Sequence, residues 1–231
     1  MPSEATLRTA LGHVLWIGGA PDAGKTSIAD LLAAKHQLQV YHFDRHEPAH
    51  FDRVTAAEHP ALYAAHPVRM TLEERWVQRP IEMMAQGTIS SWTERFSMTV
   101  DDLCAMPDTP MIIAEGPGLF PECIAPLITS PRQAIWLEAT EEFKWASAAR
   151  RNKPSSRFKS SDPERFVRNW FGRDMLIAAH VRQGVEERGL TLLEVDGAKS
   201  LDEMAALVEA HFAPLLASSD SFIVESDDPV A

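Results

Sequence analysis

Short apolar runs alternate along this chain with longer stretches in which apolar residues return every three to five positions. Residues 13–18 (HVLWIG) form one such run and end in glycines, while 25–35 (KTSIADLLAAK) place Ile28, Leu31 and Leu32 at helical spacing. That pattern predicts strand, tight loop, helix. The run LQVYHF at 38–43 ends at Asp44, and its short connection to the preceding helix predicts a second parallel strand with Asp44 at its carboxyl end. Three further strands follow at MIIAEG (111–116), QAIWLEA (133–139) and TLLEVDG (191–197). Between 49 and 106 the pattern is mostly helical, broken early by Pro60 and Pro67, with Leu72, Trp76, Ile81, Met84 and Ala85 recurring after them. This predicts a helical module inserted over one edge of the sheet. A short helix is expected at 121–128, another at 141–151, a polar stretch at 152–161 and a long helix over 163–188. The last helix starts at Ser200, whose capping box Glu203 completes, and runs to about Leu216. Strands alternating with helices predict an α/β sandwich on a mostly parallel sheet.

Composition narrows the class. The chain has 231 residues, 45% hydrophobic and 24% charged, which excludes a disordered or fibrous protein. One domain over 1–218 is expected, followed by an acidic, mobile tail at 219–231. With 22 basic against 33 acidic residues the net charge is −11, which argues against broad nucleic-acid binding. Any anionic ligand must then be met by locally clustered cations. Cys104 and Cys123 show no CxxC spacing and are read as buried, reduced thiols. No apolar run reaches membrane-spanning length, and MPSEATLRTALGH lacks the layout of a signal peptide, so a cytoplasmic protein without a membrane role is expected.

The most specific motif is Gly19-Ala20-Pro21-Asp22-Ala23-Gly24-Lys25-Thr26, a match to GxxxxGK[ST] lying between an apolar strand and a helix. Glycines let the backbone curl so that successive N–H groups face phosphate oxygens, and the helix N-terminus adds partial positive charge. Lys25 neutralises the β and γ phosphates and Thr26 offers its hydroxyl to Mg²⁺, with Ser27 completing the segment that holds the nucleotide. The expected ligand is a nucleoside triphosphate.

With this loop, the strand-end Asp44, the strand IIAEG and the arginine-bearing stretch after the fourth strand, the chain resembles the P-loop kinases over most of residues 13–213. That group includes nucleoside, nucleoside-monophosphate, gluconate, shikimate and antibiotic kinases. The resemblance implies a P-loop NTPase three-layer α/β/α sandwich with a five-stranded parallel sheet in the order 2-3-1-4-5. It also implies an acceptor-binding insert at about 49–106, a lid at about 150–161, and ATP with Mg²⁺ as cofactors. Other P-loop classes fit less well: Asn152-Lys153-Pro154-Ser155 lacks the Asp of NKxD, and LSGGQ is absent.

Phosphoryl transfer needs charge neutralisation and alignment, with one carboxylate near the acceptor hydroxyl and another near the metal. Asp44 suits the first task and Glu115, where the family has its Walker B carboxylate, suits the second, together with Thr26. A turn-forming Asp44 and a capping or salt-bridging Glu115 are the plainer alternatives. From Arg150 to Arg173 the chain carries a net +6, leaving −17 on the remainder. Arginines there supply planar forks for a transferring phosphoryl group, with Arg150, Arg151 and Arg157 the expected catalytic ones. Arg165, Arg168 and Arg173 read better as a solvated helix surface. In the insert, Arg69, Arg75, Trp76 and Arg79 set cations beside an aromatic, either to hold an anionic or ring-bearing acceptor or as a buried tryptophan among exposed arginines. His42, Asp44, His46 and His50 match no metal signature closely, and the loop at Gly197 is a weak adenine-contact candidate.

The expected activity is transfer of the γ-phosphoryl group of ATP to a small-molecule hydroxyl or phosphate acceptor. A nucleoside or nucleoside-monophosphate kinase is one alternative, and an ATP-binding regulatory or toxin-type protein without a small-molecule acceptor is another. A monomer or homodimer accommodates each.

Overall fold

The structure, a computed structural model, describes residues 2–150 and 159–220. Five strands, β1 (Val14–Gly18), β2 (Gln39–His42), β3 (Ile112–Glu115), β4 (Ala134–Ala139) and β5 (Thr191–Val195), form one all-parallel sheet in the order β2-β3-β1-β4-β5. This is the order that the kinase resemblance implied. Each strand lies inside its expected run, trimmed by one or two residues.

Successive strand residues face opposite sides of the sheet, and both sides are covered, so β1, β3 and β4 read as unbroken apolar runs. Val14 and Trp16, Ile112 and Ala114, and Ala134 and Trp136 pack into one core cluster with residues of the long helices α5 (Ile81–Ala105) and α8 (Pro163–Glu187). Leu15, Ile17, Ile113, Ile135 and Leu137 face the other way, against α2 (Lys25–His36) and α9 (Leu201–Asp220). The result is three layers. A third cluster of Val77, Ala148, Phe166, Trp170 and Phe171 joins the segment between β2 and β3 to α8 and to α7 (Glu141–Arg150).

Helix starts follow their capping chemistry. Asp162 accepts from Arg165 N at 2.9 Å ahead of Pro163, and Ser200 with Glu203 closes a reciprocal box at 3.2 and 2.7 Å. The segment between β2 and β3 folds as a 3₁₀ turn (Phe43–His46), α3 (Glu47–Phe51), α4 (Pro60–Ala65), a π turn (Glu74–Gln78) and α5. The short helix expected at 121–128 is α6 (Pro121–Ile124) followed by a 3₁₀ turn.

Three features depart from the sequence expectations. An amino-terminal helix α1 (Glu4–Ala10) is capped by Ser3 but buries none of its residues, so it left no apolar periodicity to find. Helix α9 continues through Pro214 to Asp220, because Met204, Val208, Phe212 and Leu216 extend one buried stripe across the proline. Cys104 is exposed and Cys123 half-buried, both as free thiols rather than two buried ones. Most of the expected lid, with Arg151 and Arg157, lies outside the described residues, as does the tail beyond residue 220. Among the described residues no helix is long and apolar enough to cross a membrane.

Candidate active site

Parallel pairing brings three loop mouths to one sheet edge, because His42 and Ile17 both register with Glu115 of β3. The glycine-rich loop leaves β1 there. Gly19 takes φ +120° where a Cβ would stand 2.0 Å from the Leu137 carbonyl, and Gly24 takes φ +81° at the start of α2. Glycine is needed at Gly19 for both space and conformation, and at Gly24 for conformation alone. Asp22 also has positive φ, and its carboxylate meets Lys144 Nζ of α7 at 3.2 Å.

A cavity of about 350 Å³ opens at this loop, lined by Lys25, Thr26, Ser27, Asp44, Glu115 and Arg173. Pro21, Asp22 and Gly24 also reach it, whereas Gly19, Ala20 and Ala23 are buried behind the loop. Lys25 is buried and donates to the Ala20 carbonyl at 2.8 Å. Burial pulls its ammonium below the ordinary lysine value, while Glu115, Asp44 and Asp22 favour the charged form. Thr26 Oγ1 donates to Glu115 Oε1 at 3.1 Å, and His42 Nδ1 donates to the same oxygen at 2.8 Å. The carboxylate of Glu115 is thereby fixed beside the threonine hydroxyl. A hydroxyl and a buried carboxylate on adjacent elements suit Mg²⁺, which keeps several waters and takes few protein ligands.

Asp44 lies in the 3₁₀ turn two residues past the end of β2, rather than at the strand end itself. Its carboxylate is open to solvent through the cavity and has no hydrogen-bond partner among the described residues. Surrounding protein pushes its pKa up, opposed by Lys25 and Arg95. The turn itself is held from below by Arg95 of α5. This fully buried guanidinium lies 3.6 Å over the Phe43 ring, donates to the Phe43 carbonyl and pairs with Glu47 at 2.8 Å.

A second cavity of about 420 Å³ adjoins the first and shares Asp44, Trp92 and Arg173 with it. Its remaining wall comes from the segment between β2 and β3, including Phe51, Met70, Arg75, Trp76, Arg79 and Met84. The π turn carries Arg75 and Trp76 into this wall. Trp76 is half-buried, packs on Phe166 and lies under the Arg173 guanidinium at 4.5 Å, so it is a cavity wall rather than the centre of a separate core.

The sheet edge thus gathers Lys25, Thr26, Asp44 and Glu115, as the sequence suggested. Arg150 is different: it is exposed, sits 5.9 Å over Phe143 and lines neither cavity. Arg173, read from sequence as helix surface, borders both cavities with its guanidinium held by Asp174 at 2.8 Å. Arg69 is exposed and covers Tyr63 at 3.6 Å. His46 Nδ1 donates to the His42 carbonyl at 3.0 Å and its ring stacks on Tyr41, while His50 pairs with Asp102 at 2.7 Å. Among the described residues no three or more His, Cys, Asp or Glu side chains form a group that could hold a metal ion. Lys144, Arg95 and Arg173 are the site residues that sequence reading missed.

No family model matches the chain, and no curated protein matches it in sequence. Among solved structures, it is similar to an uncharacterized protein from Eubacterium ventriosum, at 12% identity over 87% of this chain and 98% of that one, TM-score 0.43. It is also similar to a gluconokinase from Sinorhizobium meliloti, at 12% identity over 90% and 95%, TM-score 0.40. What the two cavities can do follows from their own residues.

Proposed function

We propose that the chain is an ATP- and Mg²⁺-dependent phosphotransferase that moves the γ-phosphoryl group to a hydroxyl of a small molecule seated under α3–α5. One observation carries this reading: Asp44, whose carboxylate has no hydrogen-bond partner among the described residues, stands where the cavity at the glycine-rich loop meets a second cavity of acceptor size. The glycine-rich loop, Lys25 and Thr26 hold the triphosphate. Thr26 and Glu115 would hold Mg²⁺, which when bound would supply positive charge beside the phosphate oxygens.

In the transfer the acceptor oxygen bonds to the γ-phosphorus as the bond to the bridging oxygen of ADP breaks. Asp44 orients the acceptor hydroxyl and takes its proton on a carboxylate oxygen, a task helped by its raised pKa. A phosphate acceptor at that point would meet a like charge, so the junction favours a hydroxyl over a nucleoside-monophosphate phosphate. Arg173 faces both compartments and stabilises charge on the moving group. The test is a coupled ADP-release screen over sugars, nucleosides, nucleoside monophosphates, aminoglycosides and hydroxy acids, run with wild type and Lys25→Ala. Acceptor-dependent release that vanishes in the variant supports the reading. ATP binding without turnover across the panel, together with recovery of a protein partner, would favour the regulatory alternative.

A further inference from the structure

Arg95 of α5 is a cation placed inside the protein, fully buried and lining neither cavity. Burying a guanidinium costs desolvation, and apolar side chains in its place often cost less. Among the described residues its Nε has no partner, which adds to that cost. Its other links converge on one place. It donates to the Phe43 carbonyl, lies 3.6 Å over the Phe43 ring and pairs with Glu47 at 2.8 Å. Phe43 immediately precedes Asp44 and Glu47 follows it at the start of α3, so the guanidinium grips the 3₁₀ turn on both sides of the carboxylate.

The Phe43 ring has a second restraint. A Cβ on Gly116 would stand 2.3 Å from Phe43 Cβ, and one on Gly118 would stand 2.2 Å from Phe43 Cζ, so the loop leaving β3 lies directly on the phenylalanine. Trp92, also on α5, meets the same ring near-perpendicularly with centroids 6.3 Å apart. Gly116 follows Glu115 in the chain, so this packing ties the turn that carries Asp44 to the strand end that carries Glu115.

Charge acts in the same place. Asp44 faces Lys25 from α2, His42 from β2, Glu115 from β3, Glu47 from α3 and Arg173 from α8, with Arg95 the cation from α5. Burial pushes the Asp44 carboxyl up, and Lys25 and Arg95 oppose that push.

We infer that Arg95 is a positioning residue for the acceptor carboxylate: by clamping Phe43 and Glu47 it fixes the turn so that Asp44 stands at the junction of the two cavities. This rests on the acceptor reading of Asp44, but one arm of its test needs no turnover. ADP release is measured with ATP and whichever acceptor of the panel above gives the fastest rate. In parallel, carbon-13 carboxyl NMR of the full chain follows the titration of Asp44, its resonance identified by its loss in Asp44→Asn. Arg95→Met should lower kcat about 10²-fold with KM for ATP unchanged. It should also move the acid limb of kcat/KM and the Asp44 titration to higher pH. Arg95→Lys keeps the charge without the planar fork, so its titration should stay nearer wild type while kcat still falls about tenfold or more. A kcat within about twofold of wild type in either variant, or an Asp44 titration unmoved by Arg95→Met, overturns the inference. Should Arg95→Met not fold, Arg95→Lys decides by the same kcat criterion. If no acceptor raises ADP release in wild type, the kinase reading is removed, and the Asp44 titration alone upholds or overturns the role of Arg95.

Discussion

Lys144 of α7 holds Asp22 of the glycine-rich loop at 3.2 Å and Asp174 of α8 at 2.8 Å, so one buried ammonium ties the phosphate loop to the helix that carries Arg173. The pairing orients both neighbours of the cavity. It also offsets the charge of a carboxylate inside the glycine-rich loop.

Removing that ammonium takes one cation from Asp22 and one from the fully buried Asp174, which keeps Arg173 at 2.8 Å. Lys144→Met should therefore destabilise the fold by about 1–3 kcal/mol, read as a lowered urea midpoint. Adding Asp174→Asn should recover part of the loss. A midpoint unmoved by Lys144→Met would show that the ammonium has no structural role.

Lys25→Ala removes the buried ammonium from the cavity at the glycine-rich loop and leaves Arg173 there. Turnover should fall about 10²-fold or more, with the thermal midpoint close to wild type. Unchanged turnover would remove the proposed mechanism.

Asp44 supplies the pH dependence. Its pKa is raised, and it acts as the carboxylate, so kcat/KM should fall as pH drops through a value above the ordinary 3.8. Asp44→Asn should lower kcat by about 10²–10⁴-fold and abolish that acid limb. A limb that persists in the variant would assign it to another group.

Arg173→Met should depress kcat by about 10²–10³-fold, because the guanidinium faces both compartments. Arg150→Met should leave turnover near wild type, since Arg150 lines neither cavity. Equal effects of the two substitutions would contradict the placement of Arg173.

Stability should decline with acid. His13, His50 and His211 all have pKa values lowered from 6.5, with burial the largest cause. The unfolded chain then binds more protons than the native one below about pH 6.5, so unfolding free energy falls as pH falls through that region. Urea midpoints from about pH 8 to about pH 5 should show the decline, and His211→Gln, which removes a buried imidazole bonded to the Ala134 carbonyl, should flatten it.

The strands and the phosphate loop were legible in sequence because their signals are local. An apolar run ending in glycines before a lysine is visible without knowing the fold, and parallel topology then carries Asp44 and Glu115 to the same edge. Arg173 was not legible, since only the rotation of α8 decides whether position 173 or 168 turns toward the cavity. Lys144 sits in EEFKWASAAR, a sequence that reads as exposed helix surface, and Arg95 in WTERFSM looks equally ordinary. Their importance comes from acids distant in sequence: Asp22, Asp174 and Glu47. Trp76 was visible as an aromatic beside arginines and within the helical recurrence, but the π turn that carries it into the wall was not.

Among the described residues the two chambers share Asp44, Trp92 and Arg173 alone. Under the proposed reading this narrow seam makes the architecture retoolable: substitutions at Met70, Arg79 or Phe51, which line the second cavity alone, should reshape acceptor choice while leaving the nucleotide side intact. Directed evolution for new acceptors should concentrate its tolerated changes on α3, α4 and the π turn, and spare those three seam residues.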